Sequence, residues 1–235
     1  MYTIYWESAY EGIKFTKQIK FSILKIFIYA YYFFRSIFLR GLGKTFLLIL
    51  NEPRWEKKFN IKTSKIKKSE SEKYFHYQGA SYLVLMEILK QVYPNTSHFD
   101  FVDIGSGKGR AVFVAERAGF NNLIGIELDE ELEKKKKNNT KTYAFKRKES
   151  SISFFHCNAL EFEYKNKPTV YFLFNPFNEG VLSKVLSKIS LSTQSETWLI
   201  YMNPLHRIAL QNKNFVLIKE FKTGRYLEAV VYKLT

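Results

Sequence analysis

A single cysteine, Cys157, stands in a chain of 235 residues. One thiol excludes an internal disulfide, and no Cys/His spacing suggests a zinc site. That scarcity fits a reducing cytoplasm, the compartment expected here. Cys157 closes the apolar run from Ile152 to His156 and reads as a small buried residue rather than a nucleophile. Acids are scarce too: 22 Asp and Glu face 37 Lys and Arg, a formal net charge of +15. Such an excess draws a protein toward nucleic acid, ribosomes or an anionic membrane face, although a solvated lysine-rich surface accounts for it equally. No internal repeat is evident. A secretory leader is not expected: the stretch before the first apolar run is long, contains Glu7 and Glu11, and no small-residue cleavage site follows. With 46% hydrophobic and 17% aromatic residues, the chain can fill one large α/β domain plus an appendage.

Two regions differ in character. Residues 1–71 are basic and aromatic, without strand–helix alternation, and read as a helical extension; residues 72–235 alternate to the end. Within the extension, Phe21–Leu39 is strongly apolar, with Lys25, Tyr29, Tyr32, Ser36 and Arg40 at spacings of three and four forming one narrow polar stripe. Such a helix packs on the rest of the protein, lies in a membrane interface or, as a third reading, spans a membrane. A full span needs ~20 apolar residues, and Lys25 and Arg35 interrupt this one. From Ser81 a buried helix runs to Val92, closed by Pro94 and Asn95. Strands are expected at 99–104, 123–128, 151–157, 169–175, 197–203, 215–221 and 226–234, with helices at 109–118, 129–142 and 180–189. The early strands are unbroken apolar runs, as in a parallel sheet covered on both faces.

The run Phe101-Val102-Asp103-Ile104-Gly105-Ser106-Gly107-Lys108-Gly109-Arg110 ends a strand in an acid, turns on alternating glycines and opens a helix. About two dozen residues after Asp103, Ile124-Gly125-Ile126-Glu127-Leu128-Asp129 is a second strand ending in acids. Strand, glycine turn, helix and acid-tipped strand make the unit that binds an adenosine-containing cofactor. Glycines let the backbone approach a ligand closely, and the N–H groups that open the helix suit a carboxylate. Asp103 would lie near a cationic group of the ligand, and Glu127 would accept from ribose hydroxyls. The spacing is G-x-G-x-G rather than G-x-G-x-x-G, which favours S-adenosylmethionine over a dinucleotide.

From Tyr77 to the C-terminus, about two-thirds of the chain, these motifs resemble a class I S-adenosylmethionine-dependent methyltransferase, closest to a small bacterial group of unassigned substrate. The resemblance implies a Rossmann-like, mostly parallel sheet of seven strands with an antiparallel last strand. It places Asp103, Gly105, Gly107 and Gly109 in the first motif and Glu127 at the ribose. Asn158 and Ala159, in Cys157–Phe162, would stand at the adenine. Asn175-Pro176-Phe177 resembles the fourth motif, beside the methyl group, where amine methyltransferases carry a second proline instead of Phe177. Tyr77–Tyr82 is similar to a tyrosine-bearing segment that borders the cofactor in that group, with Gly79 where a proline is usual.

Methyl transfer from a sulfonium needs positioning more than acid–base chemistry. The Asn-Pro-aromatic motif favours an amine acceptor, a protein side chain first; the basic charge favours RNA or another nucleic acid. A lysine acceptor must lose a proton, at a cost of about 4 kcal/mol near neutrality, and Tyr77, Tyr82 and Phe177 could cage it. Among scattered histidines, His206 follows a strand end and could border the site, while His156 packs at another. Lys134–Lys137 reads as a solvated helix face with i,i+4 pairs. A rival is a non-catalytic module of the same fold that associates with a membrane or a polyanion, with Phe21–Leu39 as its contact with an anionic membrane.

Overall fold

A computed structural model describes residues 17–64, 79–92, 96–210 and 213–235, with side chains from Phe27 onward except Ile28, Tyr29 and Val92. One sheet runs through it, built from β1 (Asp100–Ile104), β2 (Asn122–Glu127), β3 (Ser151–His156), β4 (Thr169–Phe174), β5 (Thr197–Met202), β6 (Phe215–Thr223) and β7 (Tyr226–Leu234). Its order is β3-β2-β1-β4-β5-β7-β6. Strands β1 to β5 are parallel, and only β7, between β5 and β6, runs the other way. The expected Rossmann-like sheet with an antiparallel last strand is therefore present.

The apolar runs have a direct cause. Along β1 and β4, Phe101, Val170 and Phe172 enter one core, whereas Val102, Ile104, Tyr171 and Leu173 enter the other. Both faces are buried, so both parities of the strand are apolar. Helices α3 (Tyr82–Val92), α4 (Arg110–Ala118), α5 (Glu130–Thr142) and α6 (Glu179–Ser192) complete the domain. Their starts follow side-chain caps where the sequence offers them. Asp129 accepts from the Leu132 amide at 2.9 Å, and Asn178 from the Val181 amide at 3.0 Å. The closure of α3 by Pro94 and Asn95 lies outside the described residues.

The N-terminal helices α1 (Lys17–Arg40) and α2 (Leu42–Phe59) turn on Gly41. Phe59 and the following Ile61 enter the same core as α3 and α4, and Phe59 stacks on Tyr82 and Tyr143. Of the polar stripe on α1, Ser36 bonds Thr45 at 3.0 Å and Arg40 pairs with Glu228 at 2.6 Å, while Tyr32 is 48% exposed. One expectation needs correction: Lys134–Lys137 is not wholly a solvated face. Lys134 and Lys135 do pair with Glu130 and Glu131, but Lys136 is fully buried, 2.5 Å from Glu133 and 4.5 Å above the Phe154 ring. Helical periodicity turns one lysine of four inward, and a carboxylate one turn back neutralises it.

Candidate active site

The chain leaves β1 toward β2 and later returns to β1's other side as β4. Ligands of open α/β sheets bind in the crevice at such a switch point, beyond the strand ends. Gly105, Gly107 and Gly109 line its start with φ of +79°, +54° and +86°, values L side chains rarely adopt. The amides of Gly105 and Ser106 donate to the Ile126 carbonyl at 2.9 and 2.8 Å, tying the turn to β2. A Cβ on Gly105 would sit 2.6 Å from the Pro176 Cβ. The glycine turn after β1 and the Asn-Pro turn after β4 are thus in direct contact.

Two carboxyls sit beneath the turn. Asp103 is buried, and that burial pushes its carboxyl up to about 8; nearby Glu127 adds to the rise and Lys136 opposes it. Glu127 Oε2 accepts from the Gly107 amide at 2.7 Å, while Oε1 accepts from the amides of Leu128 and Asp129, each at 2.9 Å. Burial raises the Glu127 carboxyl, and those amides hold it back. A carboxylate has about four lone-pair sites, so Oε2 keeps acceptor capacity for a hydroxyl. The next strand end is tied in through the Cys157 amide, which donates to the Glu127 carbonyl at 3.1 Å. Beyond it, Asn158 Oδ1 accepts from the Leu160 amide at 3.0 Å, and Tyr164 Oη donates to the Ala159 carbonyl at 2.8 Å. Cys157 is half-buried rather than buried; desolvation raises its thiol, which argues further against a nucleophile.

Asn175 is buried and holds φ +43°, and Asn203, at the end of β5, holds φ +47°. Tyr201 Oη donates to Asn175 Oδ1 at 2.9 Å and accepts from the His206 amide at 3.2 Å. Burial lifts the Tyr201 phenol to about 12, so it remains a donor at neutral pH. His206 therefore reaches this group through its backbone; its ring lies 4.0 Å from Glu179. Tyr226 Oη reaches Asn203 Oδ1 at 3.1 Å, so each strand-end asparagine has a tyrosine partner. Tyr201 was not singled out in the sequence, although the repeated Asn-Pro at 175–176 and 203–204 marks its strand as a neighbour of the site. Phe177 is buried beside Asn175. Tyr77 lies outside the described residues. Contrary to the expectation above, Tyr82 does not cage an acceptor: it has no exposed surface and is packed between Phe59 and Arg110. His156 is exposed rather than packed, its Nε2 2.9 Å from the Leu128 carbonyl.

The glycine turn is braced from behind by Arg110, the first residue of α4. Its Nε donates to Thr63 Oγ1 at 2.7 Å, its Nη1 to Glu52 Oε2 at 2.6 Å and to the Ala80 carbonyl at 2.7 Å. Its Nη2 donates to Ser64 Oγ at 3.1 Å and meets Glu56 at 3.5 Å. Thr63 Oγ1 donates its one proton to Glu56, so Tyr82 donates in turn to Thr63. A Cβ on Gly79 would fall 2.5 Å from the Arg110 guanidinium, so the arginine fills the space that a proline there would need. Helix α2 is in this way fixed to the glycine turn.

No protein-family model matches the chain, and no curated protein matches it in sequence. Solved structures do match. A Haemophilus influenzae protein assigned as a methylase is 19% identical with a TM-score of 0.51, over 65% of this chain and 96% of its own. An Escherichia coli protein assigned as a methyltransferase, YhhF, is 16% identical with a TM-score of 0.51, over 73% and 90%. TrmN of Thermus thermophilus is 14% identical with a TM-score of 0.50, over 65% and 48%. The fold of this chain is the fold of class I methyltransferases.

Proposed function

We propose that the chain is an S-adenosylmethionine-dependent methyltransferase that acts on an amine nitrogen, with a protein side-chain amine as first choice. One observation carries the reading: the glycine turn with its two carboxyls and the Asn175-Pro176 turn meet at a single crevice, Gly105 against Pro176. The residues present suit the cofactor. Asp103 is a buried carboxyl pushed up by burial, and a cationic ligand group beside it would favour its ionised form. Glu127 is held at the strand end with an oxygen available to ribose hydroxyls, and Gly105 and Gly107 leave the approach open. Asn158 and Ala159 would border the adenine. Tyr77 would close the pocket, and Gly109 lets α4 start against the strand. When bound, the cofactor supplies a methyl group already activated on a sulfonium. The chain's part is to orient the acceptor: Asn175 Oδ1 and the Pro176 carbonyl accept from its N–H groups and aim the lone pair, while buried Phe177 excludes water. Within the extension, residues 1–71, the described helices α1 and α2 would then brace the catalytic domain, residues 72–235.

Tyr201 holds the Asn175 amide in place, so Tyr201→Phe should lower kcat by up to about tenfold, the worth of one such hydrogen bond. Cofactor affinity should stay at the wild-type value. Single-turnover assays alongside calorimetry separate the two; an equal loss in both would assign Tyr201 to the fold rather than to orientation.

Asp103 predicts a pH dependence. A cationic ligand binds its ionised form, so affinity should rise with pH up to about 8 and then level off. The rise should approach tenfold per pH unit well below that value, with proton release on binding. Asp103→Asn should bind weakly, with that dependence removed. Calorimetry in buffers of different ionisation enthalpy measures this, and a flat wild-type profile would contradict it.

A second acceptor, RNA, is favoured by the net charge of +15. Labelled methyl transfer into cell extract, divided between protease and nuclease treatment, distinguishes the two. Label that survives protease and disappears with nuclease defeats the amine-in-protein reading.

A further inference from the structure

We propose that the α1–α2 hairpin is an interfacial anchor whose outer face lies on an anionic lipid bilayer. Phe27, Tyr31, Phe34 and Phe38 are 68%, 61%, 66% and 67% exposed. Their spacing of four, three and four puts them on one side of α1. Past Gly41, α2 continues with Leu42, Phe46, Ile49 and Leu50, all exposed. An ordinary surface helix turns its polar stripe outward. Here Ser36 and Arg40 are spent on Thr45 and Glu228, and the aromatic side faces out. Contiguous apolar exposure of this size on a soluble domain marks an interaction surface.

Charge identifies the occupant. Residues 17–59 hold nine Lys and Arg against two acids, Glu52 and Glu56. Both acids turn inward to Arg110, Arg40 turns to Glu228 and Lys44 pairs with Glu87, so the exposed charges among the described side chains of the hairpin are the basic Arg35, Arg54, Lys57 and Lys58. Exposed Phe, Tyr, Leu and Ile with surrounding cations fit the boundary between acyl chains and anionic headgroups. A protein partner would not need so one-sided a charge, and nucleic acid would not need the aliphatic side chains. No helix among the described residues is long and apolar enough to cross a membrane, so the hairpin lies on the surface rather than through it. The anchor is fixed to the sheet: the Arg225 amide donates to the Leu39 carbonyl at 2.7 Å, and Gly224 leaves room for that carbonyl. Arg40 lies 3.7 Å over the ring of Tyr226, the partner of Asn203. Membrane contact would therefore bring the strand ends that carry Asn203 and Asn175 close to the bilayer.

Sedimentation of the full chain with vesicles tests this. Wild type should sediment with mixed phosphatidylglycerol–phosphatidylcholine vesicles, less so in high salt, and weakly with phosphatidylcholine alone. A variant carrying Phe27→Ser, Phe34→Ser, Ile49→Ser and Leu50→Ser should lose at least about a hundredfold in partitioning, since each buried apolar side chain contributes about tenfold or more. Its thermal unfolding midpoint and binding of S-adenosylhomocysteine should match wild type, because these side chains touch neither the core nor the crevice. A wild type that stays in the supernatant overturns the proposal, as does a variant that sediments equally well. Sedimentation velocity showing a wild-type dimer that the variant abolishes overturns it too, because a second copy then covers the face.

Discussion

Arg110→Ala should melt roughly 10 °C below wild type, from a loss of ~3–5 kcal/mol. The guanidinium is buried and serves five acceptors at once. Its removal leaves Glu52 and Glu56 without their shared cation and the Ala80 carbonyl short of a donor. Arg110→Lys should recover little, because one ammonium cannot reproduce a planar fork between separate acceptors. The effect carries a pH signature. Burial works against the Glu56 carboxylate, but bonds from the Thr63 hydroxyl and amide, then Ser64 and Arg110, outweigh it and hold the carboxyl below its ordinary value. A depressed carboxyl stabilises above its unfolded value and loses that contribution as pH falls through the folded one. Because Arg110 is the smallest of these contributions and the Thr63 and Ser64 bonds remain in the variant, the gap between wild type and Arg110→Ala should narrow only slightly below about pH 4. Thermal melts of the three proteins across pH measure this. A variant within about 2 °C of wild type would mean that α2 is not fixed to the glycine turn through Arg110.

Gly105→Ala should weaken cofactor binding by between about fivefold and a hundredfold, the effect of ~1–3 kcal/mol of backbone strain. Two causes act together. The new Cβ has to hold φ near +79°, and it would press on the Pro176 Cβ at 2.6 Å. Relief requires the two turns to part, which moves Asn175 as well as the cofactor's approach. Binding and turnover should therefore fall together. Gly180→Ala is the control: its Cβ would meet nothing closer than Asn178 at 3.8 Å, and it should bind as wild type does. Calorimetry on both variants decides it, and an unaffected Gly105→Ala would remove the glycine turn from the site.

The contrast between these residues shows what can be read from a sequence. Gly105 was legible because φ-positive turns after an acid-tipped strand require glycine locally, within ten residues of chain. The sheet was legible for a related reason: two-sided burial leaves unbroken apolar runs, and a Thr-Gly turn closes β6 on β7. Arg110 was not. Its partners Glu52, Glu56 and Thr63 lie 47 to 58 residues away, and nothing in local pattern marks a surface arginine from a buried one. Lys136 misled for the opposite reason. It sits among four lysines that look alike in sequence, and only the helix phase, fixed by packing, buries it. Tyr201 resembles any apolar-strand tyrosine until β4 and β5 are paired and Phe174 comes opposite Met202. The polar stripe of α1 was visible, but its direction depends on Thr45 and Glu228, which belong to other elements.

The central claim is that the crevice between the β1 and β4 turns binds S-adenosylmethionine. Isothermal calorimetry of the purified full chain with S-adenosylmethionine and with S-adenosylhomocysteine tests it most directly. One saturable site should be seen for each ligand, and Asp103→Ala combined with Glu127→Ala should abolish it while the circular dichroism spectrum keeps its α/β form. No binding of either ligand to a folded wild type, or undiminished binding in the double variant, would contradict it.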